Sequence, residues 1–140
     1  MIKNNAAVMF SKIRNKVNNK IVLELEKHNV CGIVPSHGDI LWSLYQKNGL
    51  PIKTIAEKIN KTQPTVTVLV NKLEKLGYVK KIKDEKDSRV TLIFLTEKGA
   101  QLESIYIEVS DQINEIIYGG LTNDQKEQLE LYLEKIYSRF

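Results

Sequence analysis

Between Ile52 and Gly77 the chain spells out two short amphipathic helices with almost nothing to join them, which leaves few ways to fold. Ile55, Ala56 and Ile59 fall on one face of a first helix. Asn60 follows where a left-handed residue would stop that helix, and asparagine tolerates this backbone better than most residues. Thr62 can cap the next helix, and Pro64 suits its first turn. Val66, Leu69, Val70 and Leu73 then recur at helical spacing, with Leu76 near the end and Gly77 as the stop. Helices this short, joined this tightly and with the small Ala56 on the packed face, cross steeply. The pattern is a helix-turn-helix.

Strong β-formers come next: Tyr78, Val79 and Ile82, then Val90 to Leu95. The polar segment Lys83–Arg89 between them predicts a β-hairpin with a mobile tip, and a hairpin in this place makes the motif a winged helix. Upstream, residues 5–28 predict a long helix striped by Met9, Ile13, Val17, Ile21 and Leu25. Asn29 to Pro35 breaks it. Ser36 is then expected to cap a helix running to Gln46, with Asp39 placed against the helix dipole and Ile40, Leu41, Leu44 and Tyr45 buried. Asn48, Gly49 and Pro51 end that helix.

Downstream, Thr96 is expected to cap one long helix over Glu97–Tyr118, striped by Leu102, Ile105, Val109, Ile113 and Ile116 or Ile117. Gly119 and Gly120 end it. Thr122 and Gln125 match a capping box and open a last helix to about Arg139, whose buried side is marked by Leu129, Leu133, Ile136 and Phe140. The fold class expected is mainly α with a small β-hairpin wing.

Charge points to a partner. Residues 1–51 carry 7 basic and 3 acidic side chains, residues 52–95 carry 10 and 5, and residues 96–140 carry 4 and 9. The helix-turn-helix and hairpin are thus a cationic block between a milder head and an acidic tail, which suits a polyanion. The 140-residue length suits one small domain with helical extensions, and 42% hydrophobic against 27% charged residues excludes a disordered chain. No apolar run is long enough to span a bilayer, and the first residues lack a signal-peptide pattern. The lone Cys31 cannot form an internal disulfide, so a cytoplasmic location is expected.

Enzymatic chemistry finds no support. There is no phosphate-binding glycine loop, no nucleophile with its base and no paired carboxylates placed for a cleft. His28, Cys31 and His37 cluster near the first helix break, but a closed zinc site needs about four ligands, so neither a metal nor another cofactor is expected. Cys31 reads as a buried, inert thiol in preference to a redox switch.

The stretch IAEKINKTQPTVTVLVNKLEKLGYVKKIKDEKDSRVTLIFLTEKG, Ile55 to Gly99, resembles the core of the MarR family of bacterial transcription regulators. The specific pieces are D-S-R at Asp87–Arg89 with L-T-E-K-G at Leu95–Gly99, and T-V-T-x-L-V-x-K-L-E-K-L-G from Thr65 to Gly77. The resemblance covers essentially the whole chain. It implies a single MarR-type domain over 1–140: residues 1–35 and 97–140 form a helical dimerisation region, and 36–96 form a winged-helix DNA-binding lobe. It further implies a homodimeric, double-stranded-DNA-binding regulator of pseudo-palindromic operators, a repressor released by a small-molecule effector. The alternatives are a winged helix that docks on protein, or a redox- or metal-responsive regulator using Cys31 and the nearby histidines.

On that resemblance Gln63, Pro64, Thr65, Thr67 and Val68 are expected at base edges, and Lys61 and Lys72 on phosphates. Arg89 is expected in the minor groove, held by Asp87, with Lys83 and Lys86 adding salt-sensitive attraction along with Lys80 and Lys81. Val68 departs from the basic residue the family often carries there, which predicts fewer polar base contacts and more apolar ones. His37, Leu41 and Tyr45 share a helical face that could line the effector pocket. The reading favoured over this is a core histidine satisfied by a backbone carbonyl.

Overall fold

A computed structural model describes residues 1–140. In chain order the elements are α1 (Ala6–Lys27), α2 (Pro35–Gln46), β1 (Leu50–Pro51), α3 (Ile52–Ile59), α4 (Gln63–Lys75), β2 (Val79–Lys83), β3 (Thr91–Leu95), α5 (Glu97–Gln101), α6 (Glu103–Tyr118) and α7 (Asn123–Tyr137). The chain divides into two compact units, Met1–Val109 and Ser110–Phe140, with α6 passing from one into the other.

The first unit is built around one apolar core. Leu25 of α1, Ile40, Leu41 and Leu44 of α2, Ile55 of α3, Val66, Val70 and Leu73 of α4 and Ile93 of β3 are almost fully shielded from solvent. All but Ile93 are the periodic positions of the helices they sit on, and removing their apolar surface from water is the main force assembling the lobe. Antiparallel pairing of β2 with β3 sets Val79 opposite Leu95, Lys81 opposite Ile93 and Lys83 opposite Thr91. Only Val79 of β2 is buried, so the rest of that strand projects away from the core as a wing.

The structure adds a third strand. β1 pairs with β3, Leu50 opposite Ile93 and Pro51 opposite Leu92, giving the order β1-β3-β2. The Asn48 side-chain oxygen accepts from the Leu95 amide at 2.9 Å and prolongs this edge. Proline is tolerated because β1 is an edge strand. A two-residue strand has no periodicity of its own, so the segment reads in sequence only as a helix stop.

Helix α2 starts at Pro35, and Ser36 is not its cap. Val34 occupies the cap position in extended conformation, and its amide donates to His37 Nδ1 at 2.9 Å. Proline at the first helical position needs no amide partner, and His37 three residues beyond the cap reaches back as glutamine does in a capping box. His37 is therefore a buried core histidine, but its one bonded nitrogen, Nδ1, meets a backbone N–H, and no carbonyl satisfies Nε2. This arrangement requires a neutral ring. Burial, reinforced by the charge of Lys72, pushes the His37 imidazole below its ordinary value.

The unfolded chain then binds the proton more readily than the native one, so stability is full above about pH 6.5. It declines as pH falls past that point toward the lower native value. In His37→Gln the reach-back acceptor is kept without the titration. The melting temperature of the wild type is expected to drop between pH 7.5 and 5.5 by more than that of the variant. Parallel profiles for the two proteins would remove His37 from the account.

The expected single helix after the wing is interrupted at Leu102. Thr96 caps α5 as the sequence indicates, its Oγ1 accepting from the Gly99 amide at 3.1 Å. Three residues on, the Leu102 amide reaches back only to the Gly99 carbonyl, which also accepts from the Tyr45 hydroxyl at 2.9 Å. Glycine is required at position 99, because a β-carbon there would stand 2.0 Å from the Tyr78 carbonyl oxygen. This close packing on α2 and the root of the wing falls at the break between α5 and α6.

In the second unit, Thr122 and Gln125 form the expected capping box: the Gln125 amide donates to Thr122 Oγ1, and the Thr122 amide to the Gln125 side chain at 2.9 Å. The expected buried side of α7 is a correction. Leu133, Ile136 and Phe140 are exposed, Leu129 is half-buried, and no residue of α7 is buried. An apolar stripe marks a face that wants a partner, and this one is left exposed. No helix is long and apolar enough to cross a membrane.

Candidate nucleic-acid interface

The interface begins at the turn between α3 and α4. Asn60 adopts the left-handed conformation, φ 54° and ψ 47°, and the Lys61 amide closes the turn on the Ala56 carbonyl. Thr62 caps α4: its Oγ1 accepts from the Thr65 amide and donates to Thr65 Oγ1 at 2.9 Å. With Val66, Val70 and Leu73 turned to the core, the opposite side of α4 faces solvent, and Pro64, Val68, Asn71 and Lys75 succeed one another along it. Gln63, Pro64 and Thr65 are exposed, Val68 is 68% exposed, and Thr67 is half-buried. The five residues expected at base edges all lie on the first two turns of α4. Asn71, three residues beyond Val68 on the same stripe, is not among them. The helical period alone could have found it.

A cleft of about 390 Å³ opens beside this turn, lined by Lys53, Glu57, Asn60, Lys61 and Gln63 among others. The α4 N-terminus, with its unsatisfied amides, borders the cleft through Thr62 and Gln63. Lys61 is exposed, and its charge helps hold the Asp39 carboxyl down, second to Arg14 and against the larger upward push of burial. Lys72 is exposed on the flank of α4, with Nζ and Cε 4.0 Å from where a Gly32 β-carbon would stand. It thus lies over the loop between α1 and α2.

The wing is braced at its base and at its tip. Lys81 of β2 donates to the Asn71 side-chain oxygen and stands 3.6 Å from Glu74, fastening the strand to α4. At the tip, the Asp84 amide donates to the Val90 carbonyl, and the Lys86 amide donates to the Asp84 carboxylate at 3.1 Å. Asp87 then takes three hydrogen bonds from Arg89. The backbone amide and Nε reach Oδ1 at 3.1 and 3.0 Å, and the terminal nitrogen reaches Oδ2 at 3.1 Å. Those side-chain and backbone bonds hold the Asp87 carboxyl below the usual carboxylate range and raise the already high guanidinium value. The fork is planar and doubly anchored, yet the Arg89 side chain is 88% exposed. Lys80, Lys83 and Lys86 are exposed on the same hairpin.

The other sequence candidates have structural duties. Leu41 is fully buried, His37 caps α2, and the half-buried Tyr45 gives its hydroxyl to Gly99, with burial raising its value further. Cys31 is a correction: its thiol is exposed. Val30 and Ile33 on either side turn inward, and the left-handed Gly32, φ 77°, redirects the backbone, so Cys31 falls on the outer side of the loop.

Two helices crossing over a left-handed asparagine, an exposed first turn on the second of them, and a hairpin displaying a braced arginine define a winged helix-turn-helix protein. The MarR family profile matches residues 33–91. The HTH-type transcriptional regulator YybA of Bacillus subtilis is 26% identical over 93 residues, 66% of this chain and 62% of that protein. The chain thus spans less than two thirds of the length of this relative. HTH-type transcriptional regulator MhqR, also of Bacillus subtilis, is 27% identical over 130 residues, 92% of this chain and 87% of its own. The structure of a MepR–DNA complex from S. aureus superposes with a TM-score of 0.87 at 27% identity, covering 96% of this chain and 98% of that one. Residues 33–91 thus carry the MarR family profile, and the chain is similar to regulators of this kind over most of its length.

Proposed function

We propose that the chain is a homodimeric, sequence-specific double-stranded-DNA-binding transcription regulator, a repressor released by a small-molecule effector. The observation that carries this reading is the exposed first half of α4 together with a wing, fastened to the second half of α4 through Lys81, whose tip arginine is held in a charged fork. The match of residues 33–91 to the MarR family profile supports it, as does the similarity to MepR, which was solved on DNA.

An α-helix fits the major groove, and α4 enters it N-terminus first, with Gln63, Pro64, Thr65, Thr67 and Val68 toward the bases. Lys61 and Lys72 meet flanking phosphates, which set register without reading sequence. Arg89 enters the adjacent minor groove, where narrow A·T-rich segments concentrate negative potential. Asp87 holds the guanidinium in place, and Lys83 and Lys86 add a salt-dependent hold on the backbone.

One winged helix touches too few base pairs for tight, specific binding. A second copy supplies the other half-site and covers the apolar surface left open on the terminal helices. On α1 that surface is Val8, Met9, Phe10 and Ile13, and on α7 it is Leu131, Leu133, Ile136 and Tyr137, all between 39% and 78% exposed. A twofold pair reads a pseudo-palindrome with half-sites about one helical turn, ~34 Å, apart. The dimerisation region is formed by residues 1–35 and 97–140, and the DNA-binding lobe by 36–96. Release requires an effector that binds the two states of the dimer unequally. The buried His37 Nε2 and the Tyr106 hydroxyl have no hydrogen-bond partner, and they are polar atoms that such a ligand can satisfy.

Selection of bound fragments from random duplex DNA tests the reading in one step. The enriched motif is expected to be symmetric with the half-site spacing above, and binding is expected to weaken steeply with salt. A protein that retains no duplex even in dilute buffer overturns it.

A further inference from the structure

Resting on the placement of α4 in the major groove, the character of its outward face says which bases it reads. Guanine is recognised in that groove chiefly by arginine or lysine, whose paired donors match its O6 and N7. From Gln63 to Asn71 the helix carries neither residue. The nearby cations lie outside this stretch: Lys61 precedes it, Lys72 and Lys75 follow it, and Lys81 is fastened to Asn71 and Glu74. What the face presents is apolar. Val68, at the middle of the stripe, is 68% exposed and has no polar atom in its side chain. Thr67 spends its hydroxyl on the Gln63 carbonyl at 3.0 Å, leaving its methyl as the group it can offer. Asn71 has its oxygen engaged by Lys81 and keeps only its amide hydrogens to donate.

We infer that the centre of each half-site consists of A·T pairs, read through thymine C5-methyl groups by Val68 and the Thr67 methyl. Gln63, exposed at the start of α4, pairs with adenine through its amide, and Asn71 donates to a purine N7. The charged wing and the flanking lysines supply affinity, whereas the apolar centre of α4 supplies the choice of base.

The test uses the full chain and the symmetric duplex enriched from random DNA. Each thymine of one half-site is replaced in turn by deoxyuridine, which removes the methyl and leaves base pairing intact. Loss of one buried methyl is expected to weaken binding about fourfold at one or two central positions. In Val68→Ala, where the exposure of the side chain predicts an unchanged melting temperature, the penalty at one of those positions is expected to vanish. Val68→Arg is expected to shift the enriched centre toward guanine. Equal binding of thymine and deoxyuridine duplexes, or a G·C-centred half-site enriched by the wild type, overturns the inference and leaves the DNA-binding reading standing. Failure to retain any duplex overturns both.

Discussion

Leu133→Asp is expected to yield a folded monomer whose affinity for the full operator is lower by about 10²–10⁴-fold. Leu133 is 42% exposed in the single chain, on a helix with no buried residue, beside Leu131, Ile136 and Tyr137. A carboxylate in its place costs nothing in an isolated chain, where water still reaches it. Between two copies it must be desolvated against apolar surface, and that cost falls on association alone. Once the copies separate, binding of the second half-site is no longer an intramolecular event, and the effective concentration that multiplied the two weak affinities disappears. Sedimentation velocity and titration of full and half operators read the two effects separately. Ile13→Asp makes the same test from α1, where Ile13 is 47% exposed. A variant that still sediments as a dimer, or a monomer that holds the full operator as tightly as wild type, would show that these faces serve another purpose.

Arg89→Ala is expected to weaken operator binding about tenfold for each wing, and therefore about a hundredfold for a symmetric dimer. The side chain is 88% exposed and contacts only Asp87, two residues away in the same turn, so the melting temperature should not change. The salt dependence should flatten by about one counterion per wing, since each lost arginine releases one fewer ion on binding. Asp87→Ala separates charge from geometry. It keeps the guanidinium but removes the two bonds that hold it, along with the bond from the Arg89 backbone amide, and should produce a smaller loss than Arg89→Ala. Titrations at several salt concentrations decide the matter. Unchanged affinity in Arg89→Ala across that range would sink the assignment of the wing tip to DNA.

Much of the lobe was legible because its signals are local. The left-handed Asn60, the Thr62 cap, the stop at Gly77 with φ 86° and the Thr122–Gln125 capping box all stand where short-range chemistry puts them. Base-contact candidates on the first turns of α4 followed from the same period that buries Val66, Val70 and Leu73. What escaped has partners distant in sequence. Strand β1 exists only because Leu50 and Pro51 find β3 some forty residues later. The interruption at Leu102 falls where Gly99 meets Tyr78 and Tyr45, and the Cys31 thiol was expected inside because burial of a loop residue cannot be read from its neighbours.

Amphipathic period, capping chemistry and turn residues thus settled from the sequence alone which segments become helices, where the wing lies and which face of α4 is polar or free. The three-dimensional arrangement decided what those faces meet: that Lys81 is tied to Asn71, that Lys72 leans on the loop after α1, and that the stripe of α7 is exposed. The reason is range. Helical period and capping act over three or four residues, whereas burial and side-chain pairing depend on whichever distant segment the fold brings within a few ångströms.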